Sequence, residues 1–73
     1  MPKLPVLSGK DLCRILSLHG FIEVRRRGSH IVMQKKTGTS TITVPVPDHK
    51  EIRIGTLQSI IRQSNLPKDI FIK

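Results

Sequence analysis

A short stretch in the first half of the chain carries the residue types best suited to chemistry on phosphate. Three arginines, a glycine, a serine and a histidine follow one another there: Arg25, Arg26, Arg27, Gly28, Ser29 and His30. Arginine keeps its positive charge at physiological pH and offers a rigid fork of donors that matches a phosphate group. Histidine titrates near neutral pH, so it can give or take a proton there. The stretch therefore indicates a phosphate-handling site.

The glycine of this stretch also predicts its geometry. Gly28 can adopt the positive φ of a tight hairpin turn, so that His30 opens the second strand beside the arginines that end the first. Arg25 and Arg26 should then point to opposite faces of the sheet. The candidates for binding a substrate phosphate are the arginines, the turn residues and two lysines of the next strand: Arg25, Arg26, Arg27, Gly28, Ser29, Lys35 and Lys36. A basic run beside a turn is also typical of a solvated hairpin tip, and that alternative stays open.

Two further histidines have to be weighed against His30. His49 is the one other group that could take part in proton transfer, although a loop histidine that orders the turn before the second helix is the simpler interpretation. His19 falls at the predicted end of the first helix, where the helix dipole favours a positive charge. The three histidines lack the spacing of metal ligands, and the few carboxylates do not cluster with them. We therefore expect neither a metal nor a cofactor.

The composition favours a polyanionic or acidic partner. Thirteen Lys and Arg against five Asp and Glu give a formal net charge of +8 on 73 residues. Such a density of charge attracts polyanions or an acidic protein. Only two Phe and no Trp or Tyr are present, which argues against a platform on which nucleic-acid bases stack. Recognition of a nucleic acid by its backbone and shape is the better expectation.

The length predicts one small domain over residues 1–73. A chain of that size buries only about 60 to 65% of the surface that its unfolded form exposes, so a large catalytic cavity is not expected. Cys13 is the single cysteine, and no internal disulfide can form. No apolar run approaches the roughly 20 residues of a membrane span, and the first residues do not resemble a signal peptide. These features predict a cytoplasmic protein without a membrane partner.

The apolar periodicity predicts a helix followed by three strands. Ser8 is the expected N-cap of a helix over Gly9 to His19, and Gly20 stands where a C-terminal cap is expected. The strands should lie at residues 21–26, 30–35 and 41–46. In the third strand, period-two alternation places three residues inward: Ile42, Val44 and Val46.

A second helix closes the chain. Thr56 is its predicted N-cap, and the helix should run to about Ser64 with a buried stripe made of Leu57, Ile60 and Ile61. Beyond Pro67, a short turn should place Phe71 on the sheet edge. The order of helix, three strands and helix predicts an α+β fold, with an antiparallel sheet that carries both helices on one face.

Three patches in this order resemble the HicA, or YcfA-like, family of toxin ribonucleases. The first is Gly20-Phe21, followed by an arginine and Gly28-Ser29-His30. The second, Val44 to His49, is similar to the family's Val-Pro-x-His element, and the third is Gly55 to Gln63. The resemblance spans nearly the whole chain, and the order and spacing of the patches make it specific. The family is similar in topology to double-stranded-RNA-binding domains.

The resemblance implies a function and a partner. HicA-like proteins cut messenger RNA, stop growth and are neutralised by a HicB-type antitoxin encoded alongside. The histidine of the Gly-Ser-His turn is the family's catalytic residue, and it falls on His30. The family often continues into a fuller third helix, whereas the tail over Leu66 to Lys73 is short here.

Two other functions use the same residues. A non-catalytic module could bind structured RNA by its shape, with His30 as a minor-groove contact. An adaptor for an acidic protein would need only the positive charge, and it should lose any RNA affinity when salt is raised. Turnover of RNA by the pure protein distinguishes a ribonuclease from both of these alternatives.

Overall fold

The secondary-structure elements follow one another in the predicted order. The structure is a computed structural model that describes residues 5–72. Its elements are α1 (Gly9–Leu18), β1 (Ile22–Arg27), β2 (His30–Thr37), β3 (Ser40–Pro47), α2 (Ile54–Ser64) and a short 3₁₀ helix (Lys68–Phe71). The strands form one antiparallel sheet in the order β1-β2-β3. The predicted α+β fold is confirmed, and β2 and β3 each extend beyond their predicted ends.

Both ends of α1 are capped by the residues that the sequence predicted as caps. The Ser8 hydroxyl accepts a hydrogen bond from the amide of Asp11, and the Ser8 amide donates to the Asp11 carboxylate, at 3.0 and 3.1 Å. This reciprocal pair is a capping box. At the other end Gly20 has a φ of +97°, and the amide of Phe21 donates to the carbonyl of Leu16 at 3.0 Å. This hydrogen bond joins the first and last residues of a six-residue segment and is characteristic of a Schellman motif. The motif turns the chain from α1 into β1.

The sheet has one buried face and one open face. Residues paired directly across an antiparallel sheet point to the same face, and Ile31 with Val46 and Met33 with Val44 form such pairs. All four are buried and belong to one cluster with apolar residues of both helices. Both helices therefore cover this face. The opposite face, on which the alternation of β2 places His30, is called the open face below.

β1 is an edge strand, and it is irregular. All six of its residues are exposed. The pairing register with β2 shifts between Glu23 and Arg25, which leaves Val24 as the extra residue of a β-bulge. The bulge explains why the alternation expected of a strand is poor in this part of the sequence.

The prediction of Thr56 as the N-cap of α2 is wrong. Arg53 holds that position in an extended conformation, and the helix begins at Ile54. The amide of Leu57 donates to the carbonyl of Arg53 at 2.8 Å, which is the first hydrogen bond of the helix. The reason lies just before it, because Ile52 is only 6% exposed and anchors the incoming loop in the core. Tertiary burial, and not a side-chain cap, therefore determines where α2 begins.

The rest of the second half follows the expected pattern. The predicted stripe of α2 is buried, and Asn65 ends the helix with a φ of +58°. The short 3₁₀ helix buries Phe71 at 1% exposure within the main core. Neither α-helix within residues 5–72 has the length and apolar character needed to cross a membrane.

Candidate active site

His30 stands at the first position of β2, directly across the hairpin from Arg27. The two residues between them, Gly28 and Ser29, form the turn, and Gly28 has a φ of +57°. A glycine with positive φ at the first turn position is what a two-residue type II′ hairpin requires. A Cβ at Gly28 would meet nothing within 4 Å, so the backbone angle, and not a lack of space, demands glycine. The hairpin geometry expected from the sequence is confirmed.

Two arginines share the open face with this histidine. Arg27 pairs with His30, and Arg25 pairs with Val32, which lies two residues further along β2 on the same face. All three charged or titratable side chains are exposed. Neither arginine forms an ion pair with a carboxylate of residues 5–72. Arg25, Arg27 and His30 are called the histidine cluster below.

Arg26 has a different role from its two neighbours. It pairs with Ile31, which is buried beneath the helices, so its side chain leaves the sheet on the opposite face. There its Nη1 donates to Oδ2 of Asp48 at 2.8 Å. The expectation that Arg25 and Arg26 face opposite sides is therefore confirmed. Arg26 holds the end of β3 and stands apart from the histidine cluster.

Asp48 fixes the hairpin turn through two contacts. Its carboxylate accepts the bond from Arg26, and its backbone amide donates to the carbonyl of Ser29 at 2.6 Å. The hydrogen bond from Arg26, assisted by the charge of that guanidinium, holds the pKa of Asp48 below its usual value. The same contact raises the pKa of Arg26. Asp48 therefore joins the turn that precedes His30 to the loop that follows β3.

The two candidate lysines also lie on opposite faces of the sheet. Lys35 pairs with Ile42 on the helix side of the sheet, and its Nζ lies 6.0 Å from the centroid of the Phe21 ring, at the limit of a cation–π contact. Lys36 pairs with Thr41 on the open face, several residues along β2 from His30. Only Lys36 therefore belongs to the same surface as the histidine cluster.

The remaining histidines lie outside the cluster. The carbonyl of His49 accepts a hydrogen bond from the amide of Gly9 at 2.8 Å, which joins its loop to the start of α1, while its side chain is exposed. His19 is the C-cap of α1, and that end of the helix lies near Lys35 through Gly20. His19 is therefore at the opposite end of the sheet from His30. No group of three or more metal-binding side chains comes together within residues 5–72.

One residue of this site was missed by reasoning from the sequence. The sequence patterns assigned Asp48 no role of its own, yet it makes both contacts that hold the turn. The available signal was its position directly after Pro47, the last residue of β3 and the register partner of His30. A polar residue one position beyond such a partner lies beside the hairpin turn. The acceptor it offers to an arginine could have been inferred from the register, but not from composition.

The fold and the site define a small, strongly basic α+β domain with an exposed histidine beside two arginines on the open face of its sheet. A family model described as the HicA toxin of bacterial toxin-antitoxin systems matches residues 9–66. The match covers both helices, the whole sheet and Asp48. No curated protein matches the chain.

The chain belongs to the HicA toxin family. The resemblance inferred from the three sequence patches is thereby confirmed. Membership in this family assigns the chain to the toxins of bacterial toxin–antitoxin systems, and such a toxin has an antitoxin partner.

Proposed function

We propose that this toxin is an endoribonuclease that cleaves messenger RNA, with His30 transferring a proton and Arg25 and Arg27 binding the phosphate. The observation that carries the proposal is the direct pairing of His30 with Arg27 across the hairpin. An exposed imidazole and a guanidinium are thereby held on one face, without a carboxylate partner among residues 5–72 that would neutralise the arginine. The ribonuclease activity associated with HicA toxins supports the same assignment.

The proposed cleavage reaction needs few functional groups from the protein. The ribose 2′-oxygen attacks the neighbouring phosphorus and loses its proton, and the bond from phosphorus to the 5′-oxygen breaks as that oxygen gains a proton. The products are a 2′,3′-cyclic phosphate and a 5′-hydroxyl. One positioned histidine contributes roughly 10²- to 10⁴-fold to such a reaction. His30 is the one imidazole on the open face of the three strands, so the proposed enzyme is slow.

The arginines supply the electrostatic part of the proposal. Negative charge builds up on the phosphoryl oxygens in the transition state, and fixed donors aimed at those oxygens stabilise it. Arg25 and Arg27 both lie on the face where a phosphate would meet His30, because alternate residues of a strand share a face. Arg26 does not contribute to this stabilisation, since its guanidinium is bound by Asp48 on the other side of the sheet. Lys36 lies on the open face, where it would contact the RNA away from the cleaved bond.

An open face of this kind also suits inhibition by a protein. A shallow surface is most simply silenced by covering it, and a net charge of +8 favours fast association with an acidic partner. We propose a HicB-type antitoxin that covers the histidine cluster. Its acidic groups would occupy the positions that phosphates take in the RNA complex.

Cleavage of a labelled messenger RNA by the purified protein tests the nuclease proposal. The wild type should cleave in the presence of a metal chelator, and His30→Ala should lose at least roughly 100-fold in rate while its circular dichroism spectrum is unchanged. His19→Ala is the matched control and should cleave at the wild-type rate, and His49→Ala reports whether the second histidine takes part. Undiminished cleavage by folded His30→Ala protein would refute the assignment.

A non-catalytic RNA-binding function remains the second candidate. It is favoured by the absence of a second histidine or of a carboxyl group on the open face of the three strands, because cleavage needs both a base and an acid. Under this alternative, the wild type binds RNA tightly and leaves it intact over hours. The same cleavage assay therefore distinguishes the two functions.

A further inference from the structure

A second positively charged site lies next to Asp48, outside the histidine cluster. The loop after β3 and the first turn of α1 enclose a cleft of about 210 Å³, lined by Ser8, Lys10, Asp48, His49 and Lys50. This cleft is called the loop cleft below. None of its residues has been given a role in cleavage.

Backbone contacts hold the two walls of the loop cleft together. The amide of Gly9 donates to the carbonyl of His49 at 2.8 Å. Gly9 is also pressed against the end of β3, because a Cβ at this position would overlap the carbonyl oxygen of Pro47. The start of α1 therefore sits directly on the end of β3, which fixes Lys10 beside the loop.

The charge of the loop cleft is positive. Lys10 and Lys50 form no ion pair with a carboxylate in the part of the chain that the structure describes. Asp48 is the one acidic residue of the lining, and it is already bound by Arg26. The hydrogen bond from Arg26 is the main cause of the lowered pKa of Asp48, and the charges of Lys10 and His49 also lower it. Lys10 and His49 line the same cleft as this carboxylate.

The loop cleft also offers a backbone donor. In the first turn of α1 the amides of Gly9, Asp11 and Leu12 all have acceptors, whereas the amide of Lys10 has none within residues 5–72. One unpaired amide and two ammonium groups around a small cleft are the donors that a phosphate accepts. A single phosphate group, and not a planar base, is the ligand that such a cleft fits.

We propose that the loop cleft binds a backbone phosphate of the RNA that flanks the phosphate cleaved at His30. This inference rests on the proposed function. His30 pairs with Pro47, which places their Cα atoms about 5 Å apart, and the next residue, Asp48, lines the loop cleft. An RNA strand on the open face would therefore cross the end of β3 and place its next phosphate between Lys10 and Lys50.

The test measures how binding of a 2′-O-methyl RNA depends on salt, by fluorescence anisotropy. This RNA lacks the nucleophilic hydroxyl and stays intact. The Lys10→Gln/Lys50→Gln variant should lower the slope of log Kd against log salt by about 0.7, the contribution of one single-strand phosphate. Arg62→Gln/Lys68→Gln removes the same charge at the far end of α2 and should keep the wild-type slope.

The outcomes separate this inference from the proposed function. The slope could fall in Arg25→Gln/Arg27→Gln and stay at the wild-type value in Lys10→Gln/Lys50→Gln. That result overturns phosphate binding by the loop cleft and supports RNA binding by the histidine cluster. A wild type that does not bind the RNA overturns both.

A second measurement covers the case in which the lysine variant does not fold. In wild-type protein, the amide resonance of Lys10 should shift on addition of the RNA, and an unmoved resonance at saturation overturns the inference.

Discussion

Arg26 and Asp48 connect the first strand of the sheet to the end of the third, with Nη1 of the arginine 2.8 Å from Oδ2 of the aspartate. β1 and β3 are not neighbours, since β2 lies between them. The ion pair therefore spans β2 close to the position where His30 begins that strand. It holds the hairpin turn from the helix side and leaves the histidine cluster free on the open face.

Exchanging the two charges tests this relationship. Arg26→Asp and Asp48→Arg alone should each place two like charges side by side, lower the Tm by a few degrees and slow RNA cleavage. The double variant restores an attractive pair with reversed polarity, so its Tm and cleavage rate should return towards those of the wild type. Thermal denaturation by circular dichroism and the cleavage assay measure both.

A double-mutant cycle on Tm isolates the coupling between the two side chains. Arg25→Asp combined with Asp48→Arg is the control, because Arg25 lies on the other face and should give no rescue. Additive effects of Arg26→Asp and Asp48→Arg would mean that the ion pair does not hold the turn.

The same pair predicts a dependence of stability on pH. The hydrogen bond from Arg26 lowers the pKa of Asp48 in the folded protein. A carboxyl whose pKa is lowered by folding stabilises the native state above its unfolded pKa, and that contribution is lost as pH falls through the folded pKa. Between about pH 5 and pH 2 the wild type should therefore lose more stability than Asp48→Asn. Urea denaturation at several pH values measures the difference, and parallel curves would contradict the prediction.

Two glycines in helices should respond in opposite ways to alanine. Gly9→Ala should destabilise the protein, because the added Cβ overlaps the backbone oxygen of Pro47. Gly55→Ala lies in α2, where a Cβ meets nothing within 4 Å, so the gain in helix propensity should stabilise the protein by about 0.5 to 1 kcal/mol. Urea denaturation measures both. A stabilised Gly9→Ala protein would show that α1 does not press on the end of β3.

Inhibition by the antitoxin should depend on the histidine cluster. In a His30→Ala background that removes cleavage, RNA and a HicB-type antitoxin should compete for binding. Charge reversal in Arg25→Glu/Arg27→Glu should slow association with the antitoxin more than Arg62→Glu/Lys68→Glu, because only the first pair lies in the proposed interface. Association rates at low and high salt measure the effect. A stable ternary complex of toxin, antitoxin and RNA would place the two partners on different faces.

Much of the fold could be predicted from local patterns. Period-two alternation correctly placed Ile42, Val44 and Val46 on the inner side of β3, with Val44 and Val46 fully buried. The glycine at the turn located the hairpin of β1 and β2, and the residue types at Ser8 and Gly20 predicted both caps of α1. The start of α2 could not be found in this way, since it depends on the burial of Ile52 against elements distant in sequence.

The candidate site was predictable only in part. The sequence placed His30 beside a turn and predicted that Arg25 and Arg26 face opposite sides, but which of them shares the face of His30 was known only from the register. The two-residue turn of Gly28 and Ser29 sets that register by pairing Arg27 with His30. Asp48 and the loop cleft depend on contacts between the end of β3, the hairpin turn and the start of α1. Such contacts appear only when the chain is folded.

The irregularity of the two outer strands has a consequence for how copies of this protein behave at high concentration. A three-stranded sheet has two free edges, and flat apolar edges recruit further strands and lead to aggregates. β3 carries Pro45 and Pro47, neither of which has an N–H to offer a new strand. β1 has the bulge at Val24 and three successive arginines, which bend and charge the other edge. Both edges therefore resist strand pairing between copies, even before any partner covers the sheet.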